Sequence, residues 1–433
     1  MPAPPRKPKL FRDPVHDIIE FDQRDAAGRA LLELISTTTF QRLRRIRQLG
    51  FAYLVYHGAE HSRFSHSLGV AHVATRMYDT LARVSGRSDP GDRVEVVCAA
   101  LLHDIGHGPF SHAIERVTGV HHEDYTSQLI EDPDSDVHRA LTTIDPALPA
   151  RLKPYFDPAA PMDPRRRVLR DIVSGQLDAD RQDYILRDGL HTGVRIHSYD
   201  FERIQVMFEP FVAADGSHRL AVSHRATEAV EGYLIARFHM FKQVYLHKAV
   251  RAAEKMLEAA FARASELQRA GVGRQLAPTA PGVKLLSGAR LECDEFVDLD
   301  DTDVWVMLKS WRRDPDPALS RLARGLLERD LYKTVDLDRD DPVLVARAID
   351  RASELARTHG HDPRYAVLPD RAQDTPYKPY DPRDPNRASP IPIIGRDGRA
   401  VPIEDRSEVI HLLGSDSYKI WRICLPGDIR DLL

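Results

Sequence analysis

Residues 103 to 112 read His-Asp-Ile-Gly-His-Gly-Pro-Phe-Ser-His, directly after the apolar stretch Val94 to Leu102. That stretch reads as a buried helix. Ending it on His103-Asp104, with His107 and His112 close behind, places imidazoles and a carboxylate where they desolvate badly unless something binds them. A divalent metal ion meets both needs: it neutralises the Asp and uses the His lone pairs. Two other strings extend the set, one ending in His66 and one running Asp180-Arg181-Gln182-Asp183-Tyr184. His66, His103, Asp104 and Asp180 make a mixed imidazole–carboxylate site. Such a site suits Mn, Fe, Zn, Co or Ni better than a structural zinc, which prefers Cys. A metal held there with open positions polarises a phosphate oxygen and brings the pKa of a bound water toward neutrality. Asp104, adjacent to His103, can both ligate and orient that water. Any one of these histidines alone reads as an ordinary buried or surface residue; the argument lies in the ordered combination.

Other chemistry-bearing residues gather around this set. His107 follows His103 by four residues and stays near the metal if the helix or its turn continues. His107, His112 and His122 can donate to phosphate oxygens and protonate a leaving group. Their bland counterparts are a Gly-His-Gly turn and a solvated His121-His122 pair. Asp180, Tyr184 and Asp188 are spaced to share one helical face. They can reach the metal, pack on a sugar and accept from a hydroxyl, respectively. Arg63, Arg181 and Arg237 are candidate phosphate cations, since guanidinium binds phosphate in a bidentate fork.

The longer strings carry a resemblance. Phe40-Gln41-Arg42-Leu43-Arg44 through Gln48-Leu49-Gly50, Arg63 through Val70, the 103–112 run and Asp180 through Tyr184 together resemble the deoxynucleoside-triphosphate (dNTP) triphosphohydrolase branch of the HD-domain phosphohydrolases. The resemblance is dense from Leu10 to Lys248 and weak beyond. It implies metal-dependent hydrolysis of a dNTP to deoxynucleoside and inorganic triphosphate. His66, His103, Asp104 and Asp180 would hold the transition metal, and a second ion, Mg, would bridge phosphates. Asp104, His107, His112 and His122 would be catalytic, with His112 the leaving-group acid and Glu115 standing where the family often has Asp. Gln48 and Leu49 match a pair that crowds the sugar 2′ position. Arg63, Arg181 (a Lys in relatives), Tyr184, Asp188, Arg237 and Tyr245 match substrate contacts. Phe241 and Leu246 replace a His and a Gln at the base, so base preference should be loose.

The resemblance also implies regulation and assembly. Lys9, Gln41 and Arg44 match a cationic nucleotide pocket, with Ser36 where the family has an Asp that reads guanine. Arg203, Arg225 and Lys248 match parts of a neighbouring activator site. A homo-oligomer, dimer or tetramer, with an activating nucleotide at subunit contacts is the corresponding expectation. Two other readings stay open: a phosphodiesterase or nuclease acting on cyclic or single-stranded nucleotides, and a non-catalytic nucleotide sensor.

The elements that must position these residues read as mainly α. A chain of 433 residues can bury a large core. The pattern divides into an arm at 1–9, an HD-domain helical lobe at 10–270 and a smaller α/β C-terminal lobe at 283–433. Helices are expected over Ala27 to Ile35, Thr39 to Gln48, Ser67 to Val84, Arg93 to His103, Arg165 to Ser174, Ala179 to Asp188 and, as one long element, Arg225 to Gln268. A hairpin is expected over Phe208 to Ser223. Further on, helices are expected over Asp303 to Arg312, Ala318 to Arg329 and Pro342 to Thr358. Strands are expected over Tyr365 to Leu368, Pro392 to Ile394 and Tyr418 to Cys424, with an extended loop at 371–390. A formal charge of −4 gives no basic field that would indicate nucleic acid. Three scattered Cys imply neither a disulfide framework nor a CxxC site and suit a reducing cytoplasm. No run of apolar residues is long enough for a membrane span, and the basic, Pro-rich start lacks a secretory h-region.

Overall fold

The computed structural model describes residues 7–157, 159–272, 275–337, 341–374, 390–415 and 418–432; the side chains of residues 112, 372–374, 415, 418 and 419 lie outside the description. The fold is mainly α. At its centre the helices Arg63–Ser85, Pro90–Leu102 and Ala179–Thr192 carry most of the metal candidates. Each has legible ends. Asp89 accepts from the backbone N–H of Gly91 and Asp92 at 2.7 and 3.0 Å, with Pro90 in the first turn. Asp178 likewise accepts from the N–H of Arg181 at 2.8 Å. Gly86 and Gly193, with φ of 66° and 75°, close the first and third helices in the left-handed conformation. The middle helix is buried from Val94 to Leu102, so His103 is delivered from the core, not from the surface.

Around these helices the described residues build three larger apolar cores and a small fourth of Ala52, Ala59 and Val250. The largest joins the N-terminal helices to Leu291, Cys293, Phe296, Ile391, Ile393 and Ile403. A second sets the helix Lys248–Arg269 against Asp301–Trp311 and Pro317–Glu328, with Phe51 and Phe110 reaching in. A third packs the helix Pro342–Thr358 on Ile423 and Leu425. Residues beyond 283 therefore contribute to the same core as the metal-bearing helices as well as to cores of their own. Among the described residues, no helix is long and apolar enough to cross a membrane.

The β structure is short. Lys9–Asp13 and Asp17–Phe21 form an antiparallel hairpin. The expected hairpin is present as Phe208–Val212 and His218–Ser223, extended by a parallel pairing to Pro392–Ile394 and then by Ala400–Pro402. Tyr418–Leu425 lies between Lys333–Asp336 and Leu368–Asp374, antiparallel to both.

Several expectations are corrected. The arm does not extend to residue 9, because Lys9 opens a strand; residues 1–6 lie outside the description. The helix at Thr38–Arg42 stops early and passes into a 3-10 turn, Leu43–Arg45, leaving Gln48 beyond it. The long element over 225–268 is two helices, Thr227–Met240 and Lys248–Arg269, joined by a π-helical segment, Phe241–Tyr245. Tyr365 belongs to a helical turn, Pro363–Ala366, capped by Asp362, and the strand starts at Leu368. Arg371 to Asp374 are strand and not loop, while 375–389 lie outside the description.

Candidate metal centre and active site

His66 sits in the second turn of its helix, and His103 caps the C-terminus of the next. Their Nδ1 atoms are already committed: His66 donates to Asp183 at 2.7 Å and His103 to the Ala100 carbonyl at 2.8 Å. That sets the tautomer and turns both Nε2 lone pairs inward. His66 Nε2 lies 3.0 Å from Asp180 Oδ1 and 3.7 Å from Asp104 Oδ2. His103 Nε2 lies 3.3 Å from Asp104 Oδ1 and 3.4 Å from Asp180 Oδ1. Lone pairs facing carboxylate oxygens repel unless a cation lies between them. His103 Nε2 is buried without a hydrogen-bond partner, and ligand atoms of His66, His103 and Asp180 all fall within 4.8 Å of one another. The residues therefore fit a divalent metal. With protons as the sole cations, burial opposes charge on His66, but hydrogen bonds to Asp180 and Asp183 raise its pKa to about 10. Asp180 is correspondingly held below the usual carboxylate range by His103 and His66, against the effect of burial.

A second group adjoins the first through Asp104. His107 Nε2 is 3.2 Å from Asp104 Oδ1. The His107 and His122 rings stack with centroids 3.7 Å apart. Glu115 accepts from His122 Nδ1 at 2.7 Å and lies 3.5 Å from His107 Nδ1. Burial first, then the Arg63 cation, pushes the His107 pKa well below the usual imidazole value. Arg63 itself is buried, paired with Asp104, and donates to Ser111 Oγ at 2.7 and 3.0 Å. Phe110 and Ser111 both have φ of 52°, a region non-glycine residues avoid, so the loop before His112 is strained.

A cavity of about 520 Å³ opens beside these groups. Gln48, Leu49, Arg63, Asp104, His107, His122, Asp180, Tyr184, Asp188, Phe241, Tyr245 and Leu246 are on its wall, and its size is that of a small-molecule site. Gln48 Oε1 is buried without a partner. Asp188 is held from two sides, by His61 at 2.8 Å and the Tyr245 hydroxyl at 2.7 Å. The Arg237 Nε is also buried without a partner. Arg181 instead faces a wider cleft of about 1170 Å³ on the other side, 3.6 Å from Asp178; His103, Asp104, His122 and Asp180 line that cleft too. Asp104 and Asp180 thus line both cavities.

The regulatory candidates fall into smaller groups. Gln41 accepts from Arg44 Nε at 2.8 Å, and the Arg44 guanidinium lies over the Phe64 ring at 3.5 Å. Arg203 donates to the Arg225 carbonyl at 2.8 Å. Lys9 and Lys248 are exposed.

An HD-domain model matches residues 63–138, and an HD-associated-region model matches 213–277. The Bacillus subtilis protein YwfO is 33% identical over 97% of this chain and 93% of its own length. The crystal structure of a phosphohydrolase from Bacteroides thetaiotaomicron superposes with a TM-score of 0.81 at 31% identity, covering 97% of this chain and all of that one. Mouse deoxynucleoside triphosphate triphosphohydrolase SAMHD1 is 30% identical over 75% of this chain. The chain belongs to the HD-domain, dNTPase-like family. It spans about half of the mouse enzyme, 53% of its length. As an HD-domain phosphohydrolase it is a hydrolase, and His66, His103 and Asp104 fall within the matched residues 63–138.

Behind the metal candidates stand Asp183, His61, Asp13 and His16, none of which the sequence singles out. Asp183 and Arg187 are four apart on one helix, a pairing signal; nothing local marks His16.

Proposed function

We propose that this HD-domain protein hydrolyses deoxynucleoside triphosphates to deoxynucleoside and inorganic triphosphate. The observation that carries the reading is one cavity of about 520 Å³ whose wall brings together the metal candidates Asp104 and Asp180, the histidines His107 and His122, and Leu49, Tyr184, Asp188 and Tyr245. The similarity to the mouse dNTP triphosphohydrolase supports the same substrate class.

His66, His103, Asp104 and Asp180 would hold the metal. When bound, it would supply Lewis-acid polarisation of the phosphate and make a water more acidic. The chain's own residues do the rest. Asp104, held as a carboxylate by Arg63, orients the attacking water, which loses a proton to solvent as its oxygen bonds to the α-phosphorus and the bond to O5′ breaks. His112 gives its proton to O5′, so the products are the nucleoside alcohol and triphosphate. His107 and His122 stand beside Asp104 on the cavity wall, within reach of the phosphate oxygens. Arg237 offers its free Nε–H, and Arg181 stands at the edge of the wider cleft to meet the outer phosphates. Asp188, already fixed by His61 and Tyr245, accepts from the 3′-hydroxyl. Leu49 and Tyr184 crowd the 2′ position, so a ribose hydroxyl there would lose water without gaining a partner.

Mg as second ion, activation by a nucleotide around Lys9, Gln41 and Arg44 or Arg203, Arg225 and Lys248, and a dimer or tetramer belong to the same reading. Purified protein incubated with each of the eight common nucleotides and Mn or Mg should release triphosphate from dNTPs. Release of pyrophosphate, or equal turnover of ATP and dATP, would replace this reading by a broader phosphohydrolase. Sedimentation with and without dNTPs tests the assembly.

A further inference from the structure

The buried charge network behind the metal candidates joins elements far apart in sequence. Asp183 receives four hydrogen bonds. His66 Nδ1 donates to Oδ2 at 2.7 Å, and Arg187 donates through Nε at 2.8 Å and Nη2 at 2.9 Å. The fourth comes from His16 Nε2, 2.7 Å from Oδ1, across 167 residues of sequence. The His16 and Asp183 side chains are 3% and 0% exposed, so no water competes for these bonds. The turn that presents His16 is itself tied: Asp13 Oδ1 accepts from the N–H of Val15 and His16 at 2.9 and 3.0 Å, and Asp13 Oδ2 receives Arg187 Nη1 at 2.8 Å. The His16 ring packs against His72 and Phe201, with centroids 5.1 and 5.9 Å away. On the opposite side Gly69 makes room for the carboxylate, since a Cβ there would lie 1.9 Å from Asp183 Oδ1.

We propose that His16, at the tip of the N-terminal hairpin, is a positioning residue for the metal centre, orienting the ligand His66 through Asp183. Arg187 and His16 differ in what they do. Arg187 spans both Asp183 oxygens and balances the buried charge. His16 binds Oδ1 and, together with the Arg187 fork, fixes the rotation of the carboxylate about its Cβ–Cγ bond. That rotation decides whether Oδ2 meets His66 Nδ1–H in line. An aligned carboxylate holds the imidazole ring and raises the basicity of its Nε2. The hairpin therefore contributes to metal affinity although none of its residues touches the metal site. The inference rests on the metal reading of His66, His103 and Asp180 and is independent of which nucleotide is cleaved.

The test titrates metal-free full-length protein with Mn²⁺ and reads the free ion by electron paramagnetic resonance. His16→Ala should weaken Mn²⁺ binding by roughly 10- to 100-fold, the usual cost of losing a ligand's outer support, with the circular dichroism spectrum unchanged. His16→Gln, whose amide N–H can reach Asp183 Oδ1, should recover most of that loss. Unchanged affinity in His16→Ala would overturn the proposal, and so would an equal loss in His16→Gln, which would assign the effect to packing of the ring. If His16→Ala does not fold, His16→Phe, which keeps a ring against His72 and Phe201 but has no N–H for Asp183, decides in the same titration: a comparable loss supports the proposal and unchanged affinity overturns it. A wild-type protein that takes up no Mn²⁺ would instead remove the metal centre on which the inference stands.

Discussion

The two histidine groups that meet at Asp104 are built differently. His66 stands on a long helix and His103 caps the end of another, and each has its outer nitrogen fixed by an acceptor, Asp183 or the Ala100 carbonyl. His107 lies in a turn and His122 at the start of a ten-residue helix; the two stack on each other and share Glu115. The loop between them carries two strained residues, Phe110 and Ser111. The first group is braced from behind by a network with almost no exposed atoms. The second rests on short elements. A metal site needs ligands held to a fraction of an ångström, whereas groups that move protons must follow charge as it shifts from water to leaving group. The contrast in scaffolding matches that division of labour.

The sharpest way to break the comparison is to remove one member of each group. Asp180→Ala should abolish both metal content and turnover. His122→Ala should keep metal, read by inductively coupled plasma mass spectrometry, and lower kcat by roughly 10²- to 10⁴-fold, the range for loss of a proton-transfer or donor group. Equal metal loss in both variants would merge the two groups into one site.

A smaller effect follows from the bracing. Gly69→Ala inserts a Cβ that must displace Asp183 or Arg187, at a cost of about 1–3 kcal/mol by analogy with overpacked cores. Thermal unfolding of the metal-free protein should show the loss. An unshifted midpoint would mean that the brace is looser than its distances suggest.

Third in size is sugar choice. A 2′-hydroxyl desolvated against Leu49 and Tyr184 costs on the order of 1–3 kcal/mol, a dNTP preference of roughly ten- to a hundredfold. Leu49→Ala should narrow that ratio in a competition assay while leaving metal content alone.

The smallest effect concerns His72, which packs on His16. Burial, then the neighbouring His16, depresses its pKa from 6.5 to about 4. The unfolded chain therefore binds the proton more readily than the folded one, and stability falls as pH drops from 6.5 toward 4. His72→Gln should flatten that part of the stability–pH curve obtained by urea unfolding. An unchanged slope would assign acid sensitivity to other groups.

Much of this site was legible because its residue types are conspicuous. His66, His103 and Asp180 lie far apart in sequence, yet each sits where a buried helix has little other use for it. The central helices were also legible, since Asp89-Pro90 and Asp178 are strong starts and Gly86 and Gly193 strong stops. The bracing was not, because the bond from His16 to Asp183 spans 167 residues and has no local periodicity. The five-residue strands of the N-terminal hairpin are likewise too short to stand out. Tyr365 was misread because its aromatic character suggests a strand, although Asp362-Pro363 just before it is a helix start. The break after Met240 was invisible because Phe241-Lys242-Gln243-Val244-Tyr245 contains neither Gly nor Pro and keeps an apolar rhythm.

That π-helical stretch also sets phase. The helix before it buries Tyr233, Leu234 and Met240 in the first core, and the helix after it buries Ala252, Met256 and Phe261 in the second. Each residue of an α-helix advances the chain by about 100° around the axis. Deleting exposed Lys242 or Gln243 would thus swing everything downstream by that angle, withdrawing the Tyr245 hydroxyl from Asp188 and turning Met256 out of its core. The length of the segment is what keeps two cores and one cavity in register.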